Sequence, residues 1–255
     1  LQYASAGTAA WATISTGSPD ISFPNWASPN NTYATSGTWS KGSLEDTDLV
    51  FFLLVAGGYG GGKGSTSARA GWSGGACMLL GPAGVFDGCA YVIGAGAAGS
   101  SNYDKVQGGH TTVTLSSSNG STVFTSASQN YQPVAPRVAD DFVNGATNSP
   151  YSLTPITYPA TVNGVTYQSD GLSHAYATTS LNVVFGGGQG SGLANYSGGQ
   201  YTTGTLGNSQ TSLYSGNGGT GNGGHGVYPG GGGASNTTSG AAGNGANGNL
   251  RVYHV

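Results

Sequence analysis

The chain has 255 residues, of which 49 are glycine, 36% are hydrophobic and 6% are charged. Lys and Arg together number six and the net charge is −3, which leaves no basic surface for nucleic acid or an anionic membrane and too little charge for repulsion-driven disorder. No apolar run approaches the roughly 18 residues of a membrane-spanning helix, so membrane insertion is not expected, and the apolar fraction is low for a conventional core. Solubility falls to Ser, Thr, Asn, Gln and Tyr, a composition typical of extracellular and virion proteins. The start at Leu1, with neither Met nor a charged leader, is expected of a processed product or of part of a longer chain.

Residues 1–48 are polar and punctuated by Pro19, Pro24 and Pro29, with short extended pieces at AWATIS and TYATSGTWS; they are expected to form a turn-rich attachment segment. Residues 49–124 form the first part of a glycine-rich domain. It opens on LVFFLLVA (49–56), a continuous apolar run expected of a strand covered on both faces. A hairpin is expected at ACMLLGPAGVFDGCAYVIG, with GPAGVFDG as its turn. Cys77 and Cys89 flank that turn, so a disulfide forms if the register sets them opposite one another, and two buried free thiols are the alternative. HTTVTLS and STVFTS follow as strands, split by the turn pair Asn119-Gly120.

Residues 125–181 carry Pro133, Pro136, Pro150, Pro155 and Pro159, the pair Asp140-Asp141 and few glycines, and are expected to be an inserted lobe or a long ordered loop, with a hairpin turn at VNGVTY (162–167). Residues 182–255 return to glycine and end in the strand LRVYHV, completing the domain. No helix of useful length is expected, because each glycine costs about 1 kcal/mol in a helix and recurs too often to allow three turns.

Three stretches resemble enzyme motifs. YVIGAGAAGS sets Gly94, Gly96 and Gly99 as G-x-G-x-x-G, but no amphipathic helix follows to hold a pyrophosphate. The pattern also recurs at 216/218/221, 221/223/226 and 243/245/248, as expected from glycine abundance alone. Gly57, Gly62 and Lys63 match a phosphate-binding loop until Gly64 replaces the magnesium-binding Ser or Thr. Gly71-Trp72-Ser73-Gly74-Gly75 has the spacing of a nucleophile elbow, but loop precedes it and strand follows it. His110, His174, His225 and His254 lack zinc spacing, Asp140-Asp141 alone is thin for calcium, and Asp170 with His174 has no accompanying nucleophile or second carboxylate. Neither catalysis, nor a metal, nor a cofactor is expected.

The glycines themselves carry a pattern: 58, 61, 64; 218, 221, 224; 230, 233; 240, 243; 245, 248. A period of three is that of the polyproline II helix, whose backbone groups have no internal partners. With glycine facing inward, neighbouring helices approach closely enough to bond one another. The expected fold is therefore mainly β with a polyproline II, glycine-rich helix bundle and essentially no α-helix. Collagen is excluded, because Gly-X-Y is never sustained and proline numbers ten.

TYATSGTWSKGSLEDTDLVFFLLVAGGYGGGKG resembles the opening of the glycine-rich domain at the tips of bacteriophage tail fibres, in which a "tSGTWtk" stretch precedes an apolar strand and a glycine run. GGACMLLGPAGVFDGCAYVIGAGAAG, GGHTTVTL and GAAGNGANGNLRVYHV are similar to its later strands and closing glycines. The resemblance covers about residues 32–120 and 181–255. The 125–181 lobe departs from it, as do Glu45, Asp46 and Asp48 where a proline-containing turn is common. It implies a virion tail-fibre tip that packs polyproline II segments and binds a bacterial surface receptor, glycan or outer-membrane protein, through loops.

The loops would then be 63–73, 100–108, 191–215 and 225–239. They offer Trp72, Tyr103, Tyr196, Tyr201, Tyr214, His225 and Tyr228 as receptor contacts, aromatic rings among Ser, Gly and Asn as in an antibody paratope. The alternative for each ring is a structural lid over the glycine segments. The expected partners are the receptor and either the rest of the fibre or further copies of this chain, a trimer among the options. The rival readings are a secreted filament or surface-layer subunit and an ice-binding protein. Asn30, Asn119, Asn195 and Asn236 stand in N-x-S/T contexts that chance explains in so Asn- and Ser-rich a chain.

Overall fold

The computed structural model describes residues 24–64, 70–102, 104–121, 123–126, 185–188, 190–191, 209, 211–236 and 240–254 in full. It also describes the backbone of strands Gln2–Ala4, Trp11–Thr13, Thr161–Val162, Val165–Gln168, Asn182–Val183, Ala194–Ser197 and Gln200–Thr203. Within these residues the fold is mainly β, and its principal elements are two four-stranded antiparallel sheets. In the first, the closing strand Asn249–His254 lies between Asn31–Tyr33 and Leu49–Val55, and Ala76–Pro82 forms the far edge. In the second, the order is Gly37–Thr38, Ala90–Val92, Thr111–Thr114, Val123–Ser126. Residues 31–38 thus contribute one strand to each sheet.

Alternation along Leu49–Val55 explains why its residues are all apolar. Val50, Phe52 and Leu54 face the second sheet and pack with Trp39, Phe86, Tyr91, Val113, Phe124, Leu250 and Val252. Phe51, Leu53 and Val55 face the opposite way, into a cluster with Trp26, Met78, Phe185 and Tyr253. Both faces are covered, as the unbroken run predicts. Trp26 holds the second cluster together, with ring contacts at 5.6 Å to Phe51, 5.1 Å to Phe185 and 5.1 Å to Tyr253, whose hydroxyl donates to the Trp26 carbonyl at 3.0 Å.

The GPAGVFDG segment is not a hairpin turn. Ala83–Phe86 forms one helical turn that carries the chain from the edge of the first sheet into the second, so Ala76–Pro82 and Ala90–Val92 never pair. Cys77 and Cys89 consequently belong to different sheets, and both are free and buried in the core between them. The disulfide expectation fails because the two strands that would have set the register lie in different layers. The Asn119-Gly120 turn is longer than two residues. Thr114 pairs with Val123 around a 3-10 turn at Ser117–Asn119, with Gly120 left-handed at φ 89°. Val162 pairs with Val165, as a two-residue turn requires.

The glycine segments continue the strands past their ends. Residues 57–64 run on from Leu49–Val55, 70–75 run into Ala76–Pro82, 94–102 run on from Ala90–Val92, and 242–248 run into Asn249–His254. Hydrogen bonding then changes from two neighbours to three. Along 57–64, the N–H groups of Gly57, Gly60 and Lys63 donate to Gly109, Val106 and Asn102; those of Gly58 and Gly61 donate to Ala246 and Gly243; that of Tyr59 donates to Trp72. Residues 230–236 repeat the scheme. Gly233 and Asn236 donate to Tyr59 and Gly62, Gly231 and Ala234 to Val227 and Gly224, and Gly232 and Ser235 to Gly188 and Ser191. Each set recurs every three residues. The expected row 218, 221, 224 is broken, because the chain turns at Gly221 and Gly223, both at positive φ.

Glycine is required here by space. A Cβ on Gly58 would collide with the Gly231 carbonyl, and one on Gly233 with the Gly243 carbonyl. Gly42, by contrast, stands at φ +58° in open space. Replacing Gly58 or Gly233 by Ala is expected to cost at least about 2 kcal/mol, because backbone must move, whereas Gly42→Ala costs about 1 kcal/mol of dihedral strain. Urea unfolding midpoints of the three variants check this ordering.

Burial pushes the Cys89 thiol up to about 12 from its ordinary 9.0. The unfolded chain ionises this thiol from about pH 9 while the folded protein keeps it protonated. Stability is therefore unaffected below pH 9 and declines as pH rises from there toward 12. Alkylation at pH 8 should label neither cysteine in the native protein and both in urea; native labelling of Cys89 would contradict this core.

Candidate functional site

The backbone of the glycine segments is consumed by the scaffold itself. In the stretch with phosphate-loop spacing, Gly57, Gly58, Gly60, Gly61, Lys63 and Gly64 all donate their N–H groups to backbone carbonyls. In the stretch with dinucleotide spacing, Gly94 donates to Thr111 Oγ1 at 3.0 Å, Gly96 to Asn247 Oδ1 at 2.8 Å and Gly99 to Asn244 Oδ1 at 2.8 Å. An anion site needs such groups unpaired and convergent. Ser73, in the elbow-like stretch, is fully buried. Among the described residues no cluster of three or more His, Cys, Asp or Glu stands together as metal ligands would. Asp140, Asp141, Asp170 and His174 lie outside the described residues.

The aromatic residues expected to meet a partner are dispersed. Trp72 is buried; its ring packs 5.6 Å from Tyr59, and the Lys105 ammonium stands 3.2 Å above its centroid. This is a lid over the 57–64 segment, capped by a cation on the ring face, and burial removes Trp72 from the exposed contacts. Tyr214 is half-buried and stacks on Phe185 at 5.7 Å, covering the Trp26 cluster, while its carbonyl accepts from the Arg251 guanidinium. Tyr196 and Tyr201 are direct cross-strand partners in the hairpin of Ala194–Ser197 and Gln200–Thr203. Tyr103 lies outside the described residues.

His225 and Tyr228 remain on the surface. Tyr228 is 44% exposed and its neighbour Val227 53%. Their backbone is nonetheless fixed on both sides. Val227 N–H donates to Asn217 O at 2.8 Å, Gly226 N–H to Asn244 O at 2.8 Å, Gly216 N–H to Pro229 O at 2.8 Å and Gly230 N–H to Asn247 O at 2.8 Å. The His225 Nδ1 accepts the Asn244 N–H at 2.9 Å, so the neutral ring carries its proton on Nε2. Val227 escapes a sequence reading that selects aromatics; the signal available is a lone large aliphatic in a glycine-rich turn.

Asn217, Asn244 and Asn247 also go unnoticed in the sequence, one Asn among many. All three are exposed, and each is pinned through Oδ1: Asn217 by the Ser212 N–H at 2.9 Å, Asn244 by Gly99 and Asn247 by Gly96. The oxygen is thereby occupied, and the Nδ2 amide of each has no protein acceptor among the described residues. A rigid flank results, with apolar, aromatic and amide groups at fixed positions.

No protein-family model matches this chain, and no curated protein matches it either.

Trp72 and Tyr228 should separate structural from surface roles. Trp72→Ala is expected to cost about 3 kcal/mol, the range of a buried aromatic truncation, whereas Tyr228→Ala changes stability by no more than about 0.5 kcal/mol and His225→Ala, which removes the acceptor of the Asn244 N–H, by about 1 kcal/mol. Thermal and urea unfolding of the three variants measure this.

Proposed function

We propose that this chain is the receptor-binding tip of a bacteriophage tail fibre, in which a polyproline II bundle carries loops that recognise a bacterial surface without catalysis. The observation that carries the reading is the three-neighbour hydrogen bonding that recurs every three residues along 57–64 and 230–236, within the sequence stretches that resemble tail-fibre tips. A period of three with close glycine contacts is the geometry of packed polyproline II helices. Such a scaffold is held mainly by backbone hydrogen bonds, with a few side-chain bonds such as those of Asn244 and Asn247, so loops and flanks are left for recognition. The exposed Val227–Tyr228 ledge supplies contact area of the kind paratopes use. Weak single contacts suffice where many fibres act on one virion. The site of action is then extracellular.

One feature favours the rival reading of an extracellular filament or surface-layer subunit. The outer face of the second sheet exposes Val92 and Val123 beside Thr112, Thr114 and Thr125, with no charge among them to prevent self-association.

The deciding experiment is binding of the fluorescently labelled chain to a panel of bacterial strains, alongside the variants Tyr196→Ala/Tyr201→Ala and His225→Ala/Tyr228→Ala, each verified as folded. Strain-selective binding that falls at least about tenfold in one of the double variants is expected. A folded protein that binds no strain and assembles into filaments would overturn the adhesin in favour of the structural subunit.

A further inference from the structure

We infer that the flank formed by Asn217, His225, Val227, Tyr228, Asn244 and Asn247 binds an uncharged saccharide; the inference rests on the adhesin reading and names the receptor chemistry for this surface. Residues 171–250 contain no Asp, Glu, Lys or Arg, so every segment that builds the flank, apart from the 94–102 neighbour that pins two of its asparagines, comes from an uncharged stretch. Among the described residues of the glycine segments, the charged side chains are Lys63, Asp104 and Lys105. Asp104 and Lys105 stand beside the Gly60–Val106 bridge, where Lys105 is engaged with Trp72, and Lys63 bridges Asn236. Among the residues that form this flank, a phosphorylated or carboxylated polysaccharide would find no cationic side chain and a charged protein loop no counter-ion.

What the flank does offer matches a neutral sugar ring. A pyranose has an apolar C–H face and an equatorial rim of hydroxyls. Tyr228 and Val227 give an exposed apolar step for the first. For the second, the Nδ2 amides of Asn217, Asn244 and Asn247 and the Nε2–H of His225 are donors at fixed positions, since each partner atom, Oδ1 or Nδ1, is already held by a backbone N–H. Fixing the donors before the ligand arrives lowers the ordering cost of binding. The 225–230 backbone runs between the Asn217 side and the Asn244–Asn247 side, so the aromatic step is flanked by amides on both. The asparagine oxygens are spent on the scaffold, which biases the flank toward ligands rich in acceptor oxygen rather than toward amide-bearing peptide edges.

The test uses labelled intact protein on a strain that it binds. Asn244→Asp and Asn247→Asp keep an oxygen to pin Gly99 and Gly96 but replace the outward donor with a carboxylate oxygen, so the proposed contact is lost; each variant is verified as folded by its unfolding midpoint. Tyr228→Ala deletes the step. Each variant is expected to weaken binding about tenfold, corresponding to roughly 1.4 kcal/mol. Binding should survive protease treatment of the cells, disappear after periodate oxidation of their surface sugars, and change less than about twofold between low and high salt, because no ion pair is screened. Strain-selective binding that is protease-sensitive, that falls steeply with salt, or that is untouched by the three variants would overturn the saccharide assignment while leaving the adhesin reading in place. Absence of binding to every strain would remove both.

Discussion

The structure depends on one constraint: the backbone N–H and C=O groups of the glycine segments have no partners within their own segment and must all find them in neighbours. A β-strand solves this with two neighbours and uses its side chains to pack the faces. Segments such as 57–64 and 230–236 use three neighbours, so the faces that would have carried side chains carry more backbone. That leaves no room for a Cβ. At Gly58 and Gly233 the inward Cα hydrogen points directly at a carbonyl of the next segment, a contact that adds a weak C–H···O attraction to the conventional hydrogen bonds. Glycine content here follows from close approach, and the entropy lost in ordering it is offset by the density of bonds formed.

Such an array of backbone segments has little apolar surface of its own and needs an anchor. The two sheets provide it, because the same chains run through both parts. Val55 lies beneath Gly230 at the junction, and Phe185 enters the Trp26 cluster just before the 186–191 segment begins. The closing strand, paired with both Asn31–Tyr33 and Leu49–Val55, ties the last glycine segment to the first. The glycine segments are thereby held at their base by conventional hydrophobic burial, and aromatic lids such as Trp72 over Tyr59 cover them further out.

Sequence reasoning reaches the parts of this architecture that depend on periodicity. LVFFLLVA announces a strand covered on both faces, and the glycines of the rows 58/61/64 and 245/248 all donate their N–H groups to carbonyls of other segments of the chain. It fails where a local segment has two physically acceptable conformations. GPAGVFDG is good turn chemistry, and only the packing of Ala83 and Phe86 into the core decides that it crosses between layers instead. The row at 218/221/224 fails for a related reason: glycine permits both the extended segment and the left-handed turn, and spacing cannot tell them apart. The candidate site is less legible still. Trp72 and Tyr228 are both aromatic residues next to glycines, and their opposite fates are set by what passes over them, a lysine from residue 105 in one case and solvent in the other.

The absence of charge from residues 171–250 links scaffold and surface. A set of segments whose backbones touch in three directions has no depth in which to hide an ion, and a charged side chain beside so many aligned carbonyls and amides would compete for them. Neutral side chains that can be pinned through one atom, as Asn244 and Asn247 are by Gly99 and Gly96, satisfy the scaffold with one end and leave the other outward. The chemistry available for recognition on this flank is then that of amides, hydroxyls, one imidazole and a few apolar groups, and its selectivity must come from shape and hydrogen-bond geometry rather than from attraction at a distance. A surface of this kind gains by being rigid, since without electrostatic steering or a large apolar area it can improve affinity chiefly by losing less entropy on binding.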